Sequence, residues 1–151
     1  MDATRISWIE AGLLLAIVAM LAAIAVPGLV TGRRSVNESE AAGALLTLGT
    51  IEVSYSNRHP ATGFTCSLDE LYKDGLIDAR IASGTRSGYR LSSAGCRSDN
   101  PKSAVITDYE WYADPVDAGS GTRHFCTDQR KVVRASDTYS GHDCLIFGNE
   151  L

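Results

Sequence analysis

The apolar run from residue 11 to residue 30, AGLLLAIVAMLAAIAVPGLV, contains no charge and constrains the fold more than any other feature of the chain. An α-helix of about 20 residues is about 30 Å long, which matches the hydrocarbon thickness of a bilayer. A removable secretory signal has a shorter apolar stretch and a small-residue cleavage site after it, whereas Thr31-Gly32-Arg33-Arg34 follow this run. We therefore predict a retained apolar helix that can span a membrane, with a removable signal peptide as the weaker alternative.

The remaining residues, 31–151, have the composition of one soluble domain. The whole chain has 151 residues, with 14 Lys and Arg against 18 Asp and Glu, and a formal charge of -4. This balance lacks the strong basic field that non-specific DNA binding requires. The cysteines all lie in this part of the chain, and their even number predicts two disulfides in an oxidising compartment: Cys66, Cys96, Cys126 and Cys144. Four cysteines allow three pairings, and the residues alone do not choose among them.

One carboxylate, Glu10, lies at the start of the apolar run, between Trp8-Ile9 and Ala11. Burying an unpaired carboxylate in an apolar phase is costly, so we expect Glu10 to face a positive charge. Two interpretations are open. Glu10 pairs with Arg5, about one turn earlier, at the level of the lipid headgroups, or it meets a positive charge on a neighbouring copy of the chain.

Two short segments of the apolar helix carry a family resemblance. Ile6-Ser7-Trp8-Ile9-Glu10-Ala11 is similar to the start of the type IV pilins and of the pseudopilins of type II secretion. Ala23-Ile24-Ala25-Val26-Pro27 resembles their Ala-Ile-Ala-Ile-Pro, with the proline at the same distance from the glutamate.

The resemblance implies how the N-terminus is processed. Residues 1–5 form a short leader, a prepilin peptidase cuts before Ile6, and the new amine of Ile6 is methylated. Glu10 then neutralises this amine in the adjacent subunit during filament growth. One position departs from the family, since Arg5 stands where the family has glycine or another small residue. An unprocessed, divergent or minor subunit is therefore the alternative.

The sequence after Pro27 predicts that the helix resumes and continues to about Ser56. Pro27 removes a backbone donor and predicts a kink, while Ser35 or Asn37 can cap a restart after the Gly32-Arg33-Arg34 interruption. Arg58-His59-Pro60 is expected to end the helix. Apolar residues recur at three- and four-residue steps and define one face that we expect to pack on a sheet: Ala41, Ala44, Leu45, Leu48, Ile51 and Tyr55.

The second half of the chain alternates between turn residues and short strand patterns. Residues 61–88 are predicted to form a connecting loop with a short helix at 67–72. Strands are predicted at 89–92, 105–113 and 123–127, with a possible fourth at 131–135. The short connections between them favour an antiparallel meander.

We expect an α+β chain with the pilin fold, in which a long kinked N-terminal α-helix packs on a C-terminal antiparallel β-sheet of three to four strands. Residues 6–30 are the transmembrane or filament-core half of the helix, and residues 31–151 are the globular domain. Many pilins close their C-terminal loop with a disulfide, so the resemblance implies that Cys126 pairs with Cys144. We expect Cys66 to pair with Cys96.

Three other functions are weaker alternatives: binding of calcium, of DNA and of zinc. Asp114 and Asp117 could hold calcium, although a solvated turn is the more frequent role of such residues. The basic residues between 79 and 102 could touch DNA, but most such runs are solvated faces. Structural zinc sites have about two to four residues between paired ligands. Only one residue separates His124 from Cys126, and only one separates His142 from Cys144, so this spacing disfavours zinc. We therefore predict no metal site and no cofactor.

No set of nucleophile, base and orienting group is visible in the sequence, so we expect a structural protein and not an enzyme. The resemblance implies a subunit of a type IV pilus-like filament that assembles with copies of itself through its apolar helix, where Glu10 and Pro27 act in assembly. Its other partners are the inner-membrane assembly platform, the prepilin peptidase and, before assembly, the inner membrane itself. The globular domain is then periplasmic or extracellular. A minor pilin or pseudopilin that primes a machine or binds a ligand is the alternative.

Overall fold

The longest element is α1 (Trp8–Arg58), an α-helix of 51 residues. The protein is described from a computed structural model, which covers residues 8–100 and 102–151 and, within α1, leaves out the side chains of residues 24–29. Arg5 and Ile6, where we predict leader removal, lie outside the described residues. The helix ends at Arg58, in the Arg58-His59-Pro60 segment that we expected to end it.

The helix α1 passes without a break through the Gly32-Arg33-Arg34 segment. The prediction that Ser35 or Asn37 caps a restart is therefore wrong. Good helix-forming residues on both sides outweigh the cost of about 1 kcal/mol that one glycine imposes on a helix. Asn37 has another role, because its Nδ2 donates a hydrogen bond to the carbonyl oxygen of Ser120 at 2.9 Å. The kink predicted at Pro27 falls among the residues without described side chains and stays a prediction.

The chain divides into two compact units, one that ends at Arg33 and one from Arg34 to Leu151. Within the described residues, no helix combines the length and the apolar character needed to cross a membrane. The prediction of a spanning segment at 11–30 is thus not borne out.

The second unit contains an antiparallel sheet of six strands in sequential order. The strands are β1 (Thr85–Arg86), β2 (Tyr89–Ser93), β3 (Glu110–Pro115), β4 (His124–Asp128), β5 (Arg134–Ser136) and β6 (Asn149–Glu150). The predicted antiparallel arrangement is confirmed, but the predicted count of three to four strands is wrong. The two edge strands have only two residues each, which is too short to show an alternating pattern.

The strand predicted at 105–113 begins later, because only Glu110–Pro115 joins the sheet as β3. The residues before it bond to a loop. Ile106 donates its backbone N–H to the carbonyl oxygen of Thr62 at 2.8 Å and accepts from the N–H of Phe64 at 3.1 Å. These two hydrogen bonds hold the loop after α1 against the residues that precede β3.

Three short helices complete the second unit: α2 (Leu68–Lys73), α3 (Ala79–Ala82) and α4 (Gly141–Phe147). The helix predicted at 67–72 is confirmed as α2, and Ser67 caps it by accepting a hydrogen bond from the N–H of Glu70. Asp78 caps α3 in the same way. Neither α3 nor α4 was predicted from the sequence.

The core lies between the part of α1 after Arg33 and the sheet. The apolar helix face predicted from the sequence is confirmed, since Ala41, Leu45 and Leu48 are fully buried and Ala44 and Tyr55 nearly so. They belong to one buried cluster with side chains from the inner face of the sheet: Tyr89, Leu91, Tyr109, Trp111, Ala113 and Phe125. The side chains between these positions on β3 and β4 form the outer face, where α4 lies.

The position of the core on α1 gives a first prediction. Leu48→Ala should lower the free energy of unfolding by about 2 to 5 kcal/mol, because it leaves a cavity beside the sheet. Leu46→Ala is the matched control, since Leu46 is 54% exposed, and it should change that free energy by about 0.5 kcal/mol or less. Urea unfolding followed by tryptophan fluorescence measures both, because Trp111 is buried in the same core. Equal losses for the two variants would mean that the helix packs on a different face.

Candidate functional site

The first unit presents an N-terminal apolar surface of exposed side chains on α1: Trp8, Ile9, Leu13, Leu14, Leu15, Ile17, Val18, Met20 and Leu21. These side chains surround the helix, because consecutive residues such as Leu13, Leu14 and Leu15 point about 100° apart. Trp8 is 94% exposed. A helix that is apolar on all sides is typical of a segment that becomes buried in an assembly or in lipid. The surface is therefore a candidate for binding.

Glu10 lies in the first turn of α1 and is exposed. It is the one charged residue between Trp8 and Gly32. A carboxylate at this end of a helix interacts favourably with the helix dipole. Any process that buries the N-terminal apolar surface must also bring this carboxylate close to a positive charge, or leave it in water.

The second unit contains a fully buried carboxylate on the core face of α1, Glu52. Its Oε1 accepts a hydrogen bond from the indole Nε1 of Trp111 at 2.9 Å, and its Oε2 accepts one from the backbone N–H of Thr65 at 2.9 Å. Trp111 belongs to β3 and Thr65 to the loop before α2. Glu52 thus joins the helix, the sheet and the loop at one point.

Burial is the largest influence on the Glu52 carboxyl and raises its pKa from 4.5 to about 7. The two hydrogen bonds favour the charged form and offset part of this rise, whereas the negative charge of Glu70 adds to it. Glu70 itself accepts a hydrogen bond from the Thr65 hydroxyl at 2.5 Å. Glu52 is therefore a group whose charge changes near neutral pH inside the core.

A second polar group, which we call the Glu110 cluster, lies on the outer face of the sheet. Glu110 on β3 and Asp128 on β4 are buried and directly opposite each other. Like charges in this arrangement repel. Each is paired with a cation, because Arg97 contacts Glu110 and Arg130 Nη2 lies 2.6 Å from Asp128 Oδ2.

Two further groups complete the Glu110 cluster. The Nδ1 atom of His142, on α4, lies 3.0 Å from Glu110 Oε2, and the Tyr112 hydroxyl donates to the same carboxylate. Burial, followed by the Glu110 carboxylate, raises the pKa of Tyr112, so that its hydroxyl remains a donor. These contacts satisfy the buried carboxylate and hold α4 to the sheet, which supports a structural role.

The disulfides join Cys66 to Cys96 and Cys126 to Cys144, the two pairs that we expected. The first bond links the residue before α2's cap to the loop after β2. The second links β4 to α4. Each bond contributes around 3 kcal/mol, mainly by restricting the unfolded chain.

The alternative metal sites have other partners in the structure. Cys126 and Cys144 are bonded to each other, so neither offers a thiolate to zinc. Asp114 Oδ1 lies 2.6 Å from Nδ1 of His124, and Asp117 accepts hydrogen bonds from the N–H groups of Gly119 and Ser120. Within residues 8–100 and 102–151, no group of three or more His, Cys, Asp or Glu side chains could hold a metal ion.

Two of the five basic residues between 79 and 102 lie close to carboxylates. Arg97 is tied to Glu110 in the Glu110 cluster. Arg86 lies 4.0 Å from Glu40 on α1, and Arg80 lines the same recess as these two residues. Contact with DNA through this segment stays an untested alternative.

In comparisons with known proteins, the chain matches no family model, no curated protein and no solved structure. The resemblance to the type IV pilins therefore rests on the residues from Ile6 to Pro27 and on the order of elements after them.

Neither the burial of Glu52 nor the Glu110 cluster was predicted from the sequence. A signal for Glu52 was present, because it lies four residues after Leu48 and three before Tyr55, on the predicted apolar face. A charged residue at such a position is expected to have buried partners. The signal for Glu110 was weaker, since its partners Arg97 and His142 are distant in sequence.

The raised pKa of Glu52 predicts how stability depends on pH. Between about pH 4.5 and pH 7 the folded chain holds a proton on Glu52 that the unfolded chain releases. The free energy of unfolding should therefore fall as the pH rises through this window, by roughly 3 kcal/mol for a shift of this size. Glu52→Gln removes this contribution, so the variant should lose less stability between pH 4.5 and pH 7.5 than the native chain.

Urea unfolding at several pH values checks this prediction. The control is Asp143→Asn, which removes an exposed carboxylate and should preserve the native dependence on pH. If Glu52→Gln and the native chain show the same pH dependence, then Glu52 does not titrate in this range.

Proposed function

We propose that the chain is a structural subunit of a type IV pilus-like filament that assembles through its N-terminal helix. The observation that carries this proposal is the N-terminal apolar surface. Nine large apolar side chains between Trp8 and Leu21 are exposed in the single chain, and their burial between copies would supply the main driving force for assembly. Function then comes from repetition of the subunit, and no catalytic step is proposed.

The architecture of the second unit supports the proposal. The second part of α1 packs on an antiparallel sheet, an arrangement consistent with a pilin-like fold. Two disulfides restrict the chain on both sides of the sheet. A subunit that must persist outside the cell benefits from such covalent links, because disulfides are stable in an oxidising environment.

The partners follow from the same proposal. The subunit contacts other copies of itself, an inner-membrane assembly platform and a prepilin peptidase that cuts before Ile6. It resides in the inner membrane before assembly and in an extracellular filament afterwards. Arg5 favours a second candidate, a minor pilin or pseudopilin with a primer or ligand-binding role, because it departs from the small residue that the family has before the cut. Its low copy number in sheared filaments would distinguish this candidate.

Assembly through α1 predicts that Glu10→Ala lowers filament yield while the second unit remains folded. The carboxylate lies at the edge of the surface to be buried, and its removal leaves an opposing cation of an adjacent copy without a partner. The measurement is the amount of the chain in sheared filaments relative to the amount in whole cells. Glu40→Ala is the control, since Glu40 is an exposed glutamate on the same helix outside the apolar segment. Native yield from Glu10→Ala would contradict a role of Glu10 in assembly.

A further inference from the structure

An open groove lies beside α1 in the second unit and has a volume of about 400 Å³. Three residues of the helix, the segment that leads into β5 and the last residue of the chain form its apolar walls: Ala42, Gly43, Leu46, Val132, Val133 and Leu151. Leu46 is 54% exposed and Leu151 is 64% exposed, so large apolar side chains on these walls contact water. A concave, mostly apolar surface of this size is typical of sites for small ligands.

The apolar part of the groove is short. From Ala42 to Leu46 the helix advances about 6 Å, at 1.5 Å per residue. A neighbouring recess shares Ala42 and Leu151 with the groove, but its other lining residues include Ser35 and Glu38, so the depression becomes more polar beyond Ala42. The apolar walls therefore offer room for one short alkyl chain and not for a lipid with two long chains.

A single lysine, Lys131, lines the groove beside the apolar walls. Its side chain is exposed, and among the described residues it forms no ion pair. Its methylene groups lie close to α1 at Gly49, where a Cβ atom would be 3.4 Å from Lys131 Cγ. The groove therefore combines apolar walls with a positive charge that no described carboxylate neutralises.

The backbone of Lys131 supports a role for its side chain. Lys131 lies in the turn between β4 and β5 with a φ angle of 61°, in the left-handed region that glycine adopts most easily. Among the described residues other than glycine, only Ser87 shares a positive φ angle. Glycine would avoid this strain, so a lysine here destabilises the turn relative to glycine. Such an outlier points to a function of the side chain.

We propose that the groove beside α1 binds a free single-chain alkyl carboxylate, whose chain packs against Leu46 and Val133 and whose carboxylate pairs with Lys131. Burial of the alkyl chain against the apolar walls supplies most of the binding free energy. The ammonium group of Lys131 provides charge complementarity and selects an anionic ligand over a neutral or cationic one. This binding does not depend on the proposed filament function, because the whole groove belongs to the second unit.

Photolabelling of the full-length chain tests the site. The chain is held in phosphatidylcholine nanodiscs, so that no detergent competes for the groove, and is exposed to octanoate that carries a diazirine at the end of its chain. Mass spectrometry of the digested protein should place the label within residues 42–46 or 132–133, and excess unlabelled octanoate should abolish it. An octylamine probe with the same diazirine should label these segments several times more weakly, because its charge is like that of Lys131.

Substitutions at Lys131 separate the effect of its charge from the effect of its backbone. Lys131→Gly removes the charge and relieves the positive φ angle, so it should keep or raise the urea unfolding midpoint. The same variant should need about three to ten times more octanoate to halve the labelling, because the anion loses its cation. Lys131→Arg keeps the charge and should retain most of the labelling. Lys102→Gln is the control, since Lys102 is an exposed lysine outside the groove, and it should label like the native chain.

The chain length of the competitor tests the size of the groove. From butyrate to hexanoate, each added methylene group should improve competition about fourfold, and the gain should stop once the short groove is filled. Native labelling and competition in Lys131→Gly, equal labelling by the octylamine probe, or competition that does not depend on chain length would overturn the proposal. None of these measurements involves assembly, so their failure would leave the filament proposal standing.

Discussion

The second unit depends on one buried carboxylate. Glu52 brings a charge-bearing group into the core of a small domain and satisfies it with the Trp111 indole and the Thr65 amide. Removing either donor leaves a buried acceptor without a partner, which costs more than an exposed hydrogen bond contributes. The two bonds are directional, so they fix the rotation of α1 against the sheet more tightly than apolar contacts alone.

Buried carboxylates also stabilise the outer face of the sheet, where ion pairs satisfy them. Glu110 and Asp128 repel each other across β3 and β4; Arg97 and Arg130 compensate their charges, and the imidazole of His142 on α4 forms a further hydrogen bond to Glu110. The Cys126–Cys144 bond holds α4 beside these groups. Both faces of the sheet are therefore fixed by buried carboxylates with several partners. Among the described residues, most of the large apolar side chains that remain exposed lie on α1, on α4 and at the C-terminus.

Local patterns predicted much of the fold. The periodic face from Ala41 to Tyr55, the Ser67 cap and the strands that became β2 and β4 all depend on neighbouring residues, and the structure contains each of them. The helix through Gly32 was missed because the cost of one glycine is small beside the length of α1. Two-residue strands and the seven-residue α4 are held by pairing and by a disulfide, which no local pattern reveals. The partners of Glu52 and Glu110 were missed for the same reason, since they are set by contacts between residues 13 to 59 positions apart.

The most direct test of the filament account is the intact mass and N-terminal sequence of the protein sheared from the surface of cells without reduction. The account predicts that the chain is present in the sheared filaments, begins at methylated Ile6, and is lighter by four hydrogens because it contains two disulfides. A chain that still begins at Met1, is absent from the sheared material and is found only in membranes would contradict it.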